Sequence, residues 1–170
     1  MAAADLDKEL SKGMALMDDG DFEKAYAKFK KLAADHPDVP DCWFYKAECG
    51  NLASGMFGKK IKEEEIIEAY NKAIELDDTR VEFYQSYGLF CISIKKYDEA
   101  EKAYNEAAQI DESMESSLYS EFAFEYYNHV MAEYGEIMED PKARAPYAKK
   151  AIEYMLKALD ISPEEAKNLL

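Results

Sequence analysis

The ten residues GDFEKAYAKF (residues 20–29) decide the fold, because their pattern returns as KKYDEAEKAY at residues 95–104. In each stretch an aromatic residue at the third position is followed three residues later by alanine, and four residues after that by a second aromatic residue. Tyr70 and Ala73 likewise precede Tyr104 and Ala107 by 34 residues. A period near 34 residues, with small and aromatic residues at fixed positions, is typical of an array of helix–turn–helix repeats. Such arrays bind partners and seldom catalyse reactions.

The composition indicates an all-α protein. Hydrophobic residues make up 48% of the 170 residues and aromatic residues 13%, which is too many for a disordered chain. Seven glycines and five prolines suit long helices with few turns, and no segment alternates apolar and polar residues over the length of a strand. We therefore expect helices only.

The net charge of −15, from 36 acidic and 21 basic residues, narrows the range of partners. A chain this acidic repels nucleic acids and anionic membrane surfaces, so we expect neither as a partner. It attracts basic partners instead. The alternative is that the charge only keeps the surface solvated, and the composition leaves both interpretations open.

The cysteines and histidines form no pattern typical of a metal site or a catalytic centre. Cys42, Cys49 and Cys91 contain no C-x-x-C pair and are expected to be buried free thiols of a cytosolic protein. His36 and His129, the only histidines, lie in different repeats and have no second ligand at helical spacing. We therefore predict no metal, no cofactor and no enzymatic activity.

The location of the protein is predicted from what the sequence lacks. Its first residues do not form a basic segment followed by an apolar run, so we expect no secretion signal. No apolar stretch approaches the roughly 20 residues that cross a bilayer. The expected location is the cytoplasm.

The period divides residues 1–170, treated as one domain, into four helical pairs closed by a short helix. The pairs are expected at residues 6–39, 40–80, 81–115 and 116–162, and the closing helix at 163–170. Two insertions interrupt the period. Residues 50–60 are predicted to form a mobile loop, and residues 130–145 to form a longer helix followed by a longer turn.

Individual residues predict where two of the helices begin or end and which positions of the last pair are packed. The second helix is expected at about residues 22–35, and Asp41 is placed to cap the helix that opens after Pro40. In the last pair, Met155 is expected to take the packing position that Tyr104 has in the third pair, 51 residues earlier. Ala151 and Ala158 are its small packing neighbours.

The chain resembles the tetratricopeptide repeat family over nearly its whole length. The residues that carry the resemblance are Gly13, Gly20, Phe22, Ala25, Phe29 and Pro37 in the first pair and Tyr84, Gly88, Tyr97, Ala100, Tyr104 and Ala107 in the third. Small residues let two helices approach closely, and aromatic residues fill the seam between units. The chain departs from the family at Lys95, where a turn glycine is usual, and at Asp78 and Glu112, where proline is usual. The resemblance implies a right-handed α-solenoid.

The resemblance also implies a binding groove, because in this family the first helix of each pair lines a concave face that holds a peptide or a partner helix. Fifteen residues take this role here, none of them lysine or arginine. They are Asp7, Leu10, Met14, Met17, Asp18, Asp41, Phe44, Glu48, Asn51, Glu82, Gln85, Leu89, Ile92, Phe124 and Tyr127. The groove is expected to be acidic toward its N-terminal end and apolar toward its C-terminal end. The basic and amide clamp with which co-chaperone members hold a C-terminal carboxylate is missing.

The sequence therefore predicts a protein-interaction module, a scaffold or adaptor whose partner is a protein or peptide with basic and apolar residues. A self-associating structural protein, whose fourth pair packs on a second copy to form a homodimer, is one alternative. An accessory subunit of an enzyme, using the loop at residues 50–60, is another. The sequence names neither the partner nor the pathway.

Overall fold

The computed structural model describes residues 3–57, 61–133 and 140–169, and these residues form helices and turns without strands. The helices in chain order are α1 (Ala3–Asp18), α2 (Phe22–Asp35), α3 (Pro40–Phe57), α4 (Glu63–Leu76), α5 (Val81–Ser93), α6 (Tyr97–Ile110), α7 (Glu115–Glu133), α8 (Pro141–Ala158) and α9 (Pro163–Leu169). A single 3-10 turn, Glu112–Met114, precedes α7. The predicted all-α class is confirmed, and the alternation of paired helices is that of an α-solenoid.

The helices group into two compact units, a first unit of Met1–Thr79 and a second unit of Arg80–Leu170. In the first unit α2 packs on α1 and α3, and α3 packs on α4. Gly13 allows the first of these contacts, because a Cβ atom at this position would collide with Cζ of Phe29. Phe29 is fully buried and stacks on Tyr45, with 5.2 Å between ring centroids. The small and aromatic positions of the repeat thus form the helix contacts predicted for them.

The turns between paired helices repeat one hydrogen-bonding pattern. Gly20 ends α1 with a positive φ of 77°, and Asp21 N–H donates to the carbonyl of Leu16 at 2.8 Å. Lys95 adopts nearly the same conformation after α5, with a φ of 65°, and Lys96 N–H donates to Cys91 at 2.8 Å. A side chain at such a φ costs about 1 kcal/mol relative to glycine. The unusual lysine therefore keeps the family's turn.

The second unit has an aromatic centre built from three helices. Phe122 of α7 is fully buried among Tyr104 of α6, Tyr126 of α7 and Tyr154 of α8. Its ring centroid lies 5.4 Å, 5.6 Å and 4.5 Å, respectively, from those of the three tyrosines. Aromatic pairs at these separations add about 0.5–1.5 kcal/mol each beyond the burial of area. This cluster holds α6, α7 and α8 together.

A polar network beside this cluster joins α6 to α8. The carboxylate of Glu101 accepts hydrogen bonds from Lys150 Nζ at 2.6 Å and from the Tyr154 hydroxyl at 2.8 Å. Asn105 Nδ2 donates to the oxygen of the same hydroxyl at 2.9 Å. Burial alone raises the pKa of the Glu101 carboxyl, but the two hydrogen bonds and the charges of Lys150 and Lys157 together outweigh it, so the pKa lies below its ordinary value. The charged form of Glu101 is therefore the one that stabilises the fold.

Replacing Glu101 by glutamine is expected to lower the free energy of unfolding at pH 7 by about 1 kcal/mol, because the charge on the partly exposed pair with Lys150 is lost. A carboxyl whose pKa is lowered by folding contributes stability above its unfolded pKa of about 4.3 and loses it as pH falls through the folded pKa. The difference between wild type and Glu101→Gln in urea unfolding should therefore shrink from pH 7 to pH 3. A difference that is the same at both pH values would contradict this assignment.

The insertion at residues 50–60 is not the loop that the sequence predicts. Residues 50–57 continue α3, and residues 58–60 lie outside the described part of the chain. Gly50 is buried in the helix, where a Cβ atom would approach Ile66 Cγ1 to 3.2 Å and Tyr26 to 3.3 Å. The glycine thus serves close packing and is not a turn.

Three further expectations about helix ends and packing are corrected or limited. Pro40 is the first residue of α3, a position that proline favours, so Asp41 lies in the first turn and does not cap it. Met155 is 42% exposed, and Tyr154 is buried instead, between Ala151 and Ala158, which are buried as predicted. The predicted overrun of α7 beyond Glu133 falls on residues 134–139, outside the described part of the chain.

The cysteines are buried free thiols, as predicted. Burial raises the pKa of the Cys42 and Cys91 thiols to about 11 and that of Cys49 to about 12. Thiols of such high pKa carry almost no thiolate at neutral pH and react slowly. All three serve packing.

Candidate functional site

Three of the predicted groove residues share one exposed face of α1. Asp7, Met14 and Asp18 follow each other at seven and four residues, which places them along one side of a helix. All three are exposed, and 41% of the Met14 side chain is accessible. We call these three residues the α1 stripe. Leu10 and Met17 beside it are half-buried and pack on the cluster around Phe29.

The predicted groove residues of α3 are mostly engaged in the fold. Phe44 is buried, with its ring 6.4 Å from that of Tyr70, so it offers little surface to a ligand. Glu48 accepts a hydrogen bond from the Tyr70 hydroxyl at 2.5 Å. Asp41 and Asn51 are half-buried. The groove assignment of Phe44 is thereby corrected, because its helix turns this ring into the core of the first unit.

In the second unit the predicted residues of α5 are also partly engaged. Glu82 is exposed and forms an ion pair with Arg80. Gln85 Nε2 donates to Glu121 of α7 at 2.7 Å. Leu89 is half-buried, and Ile92 is 1% exposed, which removes it from any binding surface. The prediction for Ile92 is corrected because α7 packs on this side of α5.

The last two predicted residues, Phe124 and Tyr127 of α7, line a cavity of about 330 Å³ between α7 and α8. Its other wall is formed by Ala148, Ile152 and Met155 of α8. Phe124 is 59% exposed and Ile152 is 57% exposed. We call these five residues the α7/α8 groove. An exposed apolar surface of this kind is a candidate interaction site.

Sequence reasoning missed the α8 wall of this groove. Ala148, Ile152, Met155 and Leu159 recur at four and three residues, a stripe along one helical side, which was the available signal. Ala151, Tyr154 and Ala158 form the adjacent buried side. Two apolar sides on one helix cannot be ranked by periodicity, so the sequence alone does not show which is covered.

The electrostatic setting of the two surfaces differs. The α1 stripe carries two carboxylates, and Lys12, a nearby cation of α1, is paired with Glu9 at 2.5 Å. Helix α8, in contrast, has five basic residues and a single acidic one, Glu153. Carboxylates thus lie on the exposed side of α1, while a basic helix borders the apolar surface of α7.

Neither metal-binding nor membrane-spanning features occur in the described residues. Histidine, cysteine and carboxylate side chains there do not gather in groups of three that could hold a metal ion. His36 follows the last turn of α2, and His129 Nδ1 lies 3.3 Å from the carbonyl of Glu125. None of the helices in this part of the chain has the length and apolar character that crossing a membrane requires.

Comparisons with solved structures show a common fold. The crystal structure of MamA is 20% identical in sequence, with a TM-score of 0.67, and the match covers 97% of this chain and 81% of that one. A second MamA crystal structure has the same identity and TM-score, with coverage of 97% and 77%. The structure titled MamA MSR-1 C2 is 19% identical, with a TM-score of 0.59 and coverage of 91% and 79%. None of the curated proteins matches this sequence.

Family models identify the repeats directly. Two models, each described as a tetratricopeptide repeat, match residues 10–81 and 81–114. The matched residues include the Gly13–Phe29 contact and the Lys95 turn of the structure. The suspected resemblance is confirmed, and the general role of these repeats is to hold other proteins. The chain therefore belongs to the tetratricopeptide repeat family and is a protein-interaction scaffold.

Proposed function

We propose that the first unit of this scaffold binds a peptide or helix that carries basic residues beside a large apolar side chain. The observation that supports this proposal is the α1 stripe, in which an exposed methionine lies between two exposed carboxylates.

The methionine and the two carboxylates contribute to the free energy of binding through different kinds of contact. Met14 is 41% exposed, so covering the rest of its side chain contributes about 1 kcal/mol, and its flexible thioether adapts to different ligand shapes. Each exposed carboxylate–lysine pair contributes only about 0.2–1 kcal/mol. All three contacts therefore contribute to affinity, while Asp7 and Asp18 also select basic partners and raise the rate of association.

The experiment uses a labelled peptide of alternating lysine and leucine as the probe. Fluorescence anisotropy at low salt should show that the full chain binds it. Asp7→Lys combined with Asp18→Lys should weaken binding about tenfold, since two favourable pairs become repulsive. The affinity of the wild type should also fall as salt rises, because these charges are exposed and are screened.

A control with the same change in net charge is Glu64→Lys combined with Glu68→Lys. These two exposed carboxylates lie four residues apart on α4, the second helix of its pair. This variant should bind the lysine–leucine peptide within about twofold of the wild type at 150 mM salt, where long-range charge effects are screened. Equal loss of affinity in both double variants would show that net charge alone drives binding, and the α1 stripe would then not be the site.

A further inference from the structure

The face formed by α7 and α8 corresponds, by repeat position, to the face formed by α5 and α6, which another helix already covers. Phe124 and Tyr127 of α7 lie 35 residues after Leu89 and Ile92 of α5. On the second helix of each pair, Ala151 corresponds to Ala100, 51 residues earlier. In the earlier pair this face is covered by α7, and Ile92 is 1% exposed in a shared cluster with α7. Within the described residues nothing covers the α7/α8 groove.

Helix α7 shows what kind of segment such a face accepts. It presents Leu118, Phe122 and Tyr126, spaced four residues apart, to α5 and α6. The Phe122 ring packs on Tyr104 at 5.4 Å, and the Tyr126 ring packs edge-on against Tyr97 at 5.2 Å. The occupant of a face of this type is therefore one amphipathic helix with large apolar residues one turn apart.

The size of the α7/α8 groove favours a single helix over a second copy of the chain. Eight residues line it, whereas a stable interface between folded proteins uses about 20–30 residues on each side. Its α8 wall runs from Ala148 to Met155, which is about 10 Å along a helix axis. Two to three turns of a partner helix match this length.

The charged residues next to these faces indicate the charge of the partner helix. Helix α7, which covers the earlier face, contains four glutamates and no lysine or arginine. Its Glu133 pairs with Lys95 at 2.5 Å and accepts a hydrogen bond from Tyr97 at 3.0 Å. On the open face, Arg144 of α8 lies one turn before Ala148 on the same side of the helix. A helix with carboxylates at the edges of its apolar side complements this surface.

We propose that the α7/α8 groove docks one acidic amphipathic helix of a partner protein. This surface differs from the α1 stripe in its unit, its charge and the ligand it selects, so the proposal goes beyond the function proposed above. Apolar contact with Phe124, Ile152 and Met155 provides the affinity. Arg144 interacts with carboxylates and sets the direction of the bound helix.

The test uses the full chain and a labelled synthetic peptide with the sequence of residues 115–133, acetylated and amidated at its ends, as a helix of the required type. Fluorescence anisotropy should show saturable binding to the wild type. Ile152→Glu should weaken it at least tenfold, because a charge replaces an apolar side chain that the peptide covers. Phe124→Glu, on the opposite wall, should have the same effect. Arg144→Glu should weaken binding about threefold at low salt and less at high salt.

The matched control is Ala27→Glu, which places a carboxylate on an exposed position of α2 in the first unit and should leave binding of this peptide unchanged. Circular dichroism should show unchanged helicity in Ile152→Glu and Phe124→Glu, whose native side chains are more than half exposed. Asp7→Lys with Asp18→Lys should weaken only the lysine–leucine peptide, so the two proposals fail independently.

Three results would overturn the docking proposal. In the first, the wild type does not bind the peptide. In the second, Ile152→Glu and Phe124→Glu bind it as tightly as the wild type does. In the third, sedimentation would show a wild-type dimer that Ile152→Glu converts to monomer. That result would assign the groove to a second copy of the chain.

Discussion

Replacing Phe122 by alanine is expected to reduce the free energy of unfolding by about 3–5 kcal/mol. The ring is fully buried and contacts tyrosines from α6, α7 and α8. Truncation removes these contacts and leaves a cavity at the place where three helices meet. Because domains of this size are stable by about 5–15 kcal/mol, the loss is a large fraction of the total.

Urea unfolding followed by circular dichroism measures this effect. Phe124→Ala is the matched control, since the same side chain is removed two residues later from a position that is 59% exposed. Its effect should stay within about 0.5 kcal/mol. If the two variants lost equal stability, the aromatic cluster around Phe122 would not be the centre of the second unit.

Gly88→Val is expected to destabilise the chain by about 2–3 kcal/mol through overpacking. A Cβ atom on Gly88 would lie 2.8 Å from both Cδ2 and Cε2 of Tyr104. This ring cannot move aside easily, because it is fully buried and its hydroxyl donates to Glu121 at 3.0 Å. Helices α5 and α6 would have to separate to admit the new side chain.

The comparison for Gly88→Val is Gly50→Ala, measured by thermal unfolding. At Gly50 an added Cβ would lie 3.2 Å from Cγ1 of Ile66 and 3.3 Å from Cε2 of Tyr26, so the neighbours need to shift less than at Gly88, where the distance is 2.8 Å. Alanine also favours the helix over glycine by about 1 kcal/mol, which offsets part of the crowding. Gly50→Ala should therefore stay close to the wild type. A wild-type melting temperature for Gly88→Val would refute the packing role of this glycine.

The repeat pattern predicted the fold well wherever a small residue faces an aromatic one. Helix α2 has the predicted bounds, Phe22–Asp35, because Ala25 and Phe29 are both required by the contact with its neighbours. The predicted loop was wrong for residues 51–57, which continue α3, because glycines in one sequence do not by themselves show where a helix ends. Met155 was predicted to be buried because it lies 51 residues after Tyr104, but Tyr104 is covered by Phe122 of α7, whereas Met155 is 42% exposed in the described part of the chain.

The candidate site was less predictable than the fold. Spacing placed Phe44 and Ile92 on a groove, but neighbouring rings and helix α7 bury them. Exposure of Ile152 and Met155 depends on which helix follows in space, and that is a property of the folded chain. Charge was easier to predict, because Asp7 and Asp18 lie on α1 with no core position available to them.

The bond between Glu101 and Tyr154 joins residues 53 positions apart, and this separation has a consequence for the order of folding. Closing so long a segment costs more entropy than pairing adjacent helices, so α5 and α6 should associate before α8 arrives. During synthesis α7 also leaves the ribosome before α8 has been made. The side of Phe122 that packs on Tyr154 is then exposed to solvent. Until α8 docks, the nascent chain carries an aromatic surface that chaperones recognise, and its excess of carboxylates then serves to keep neighbouring chains apart.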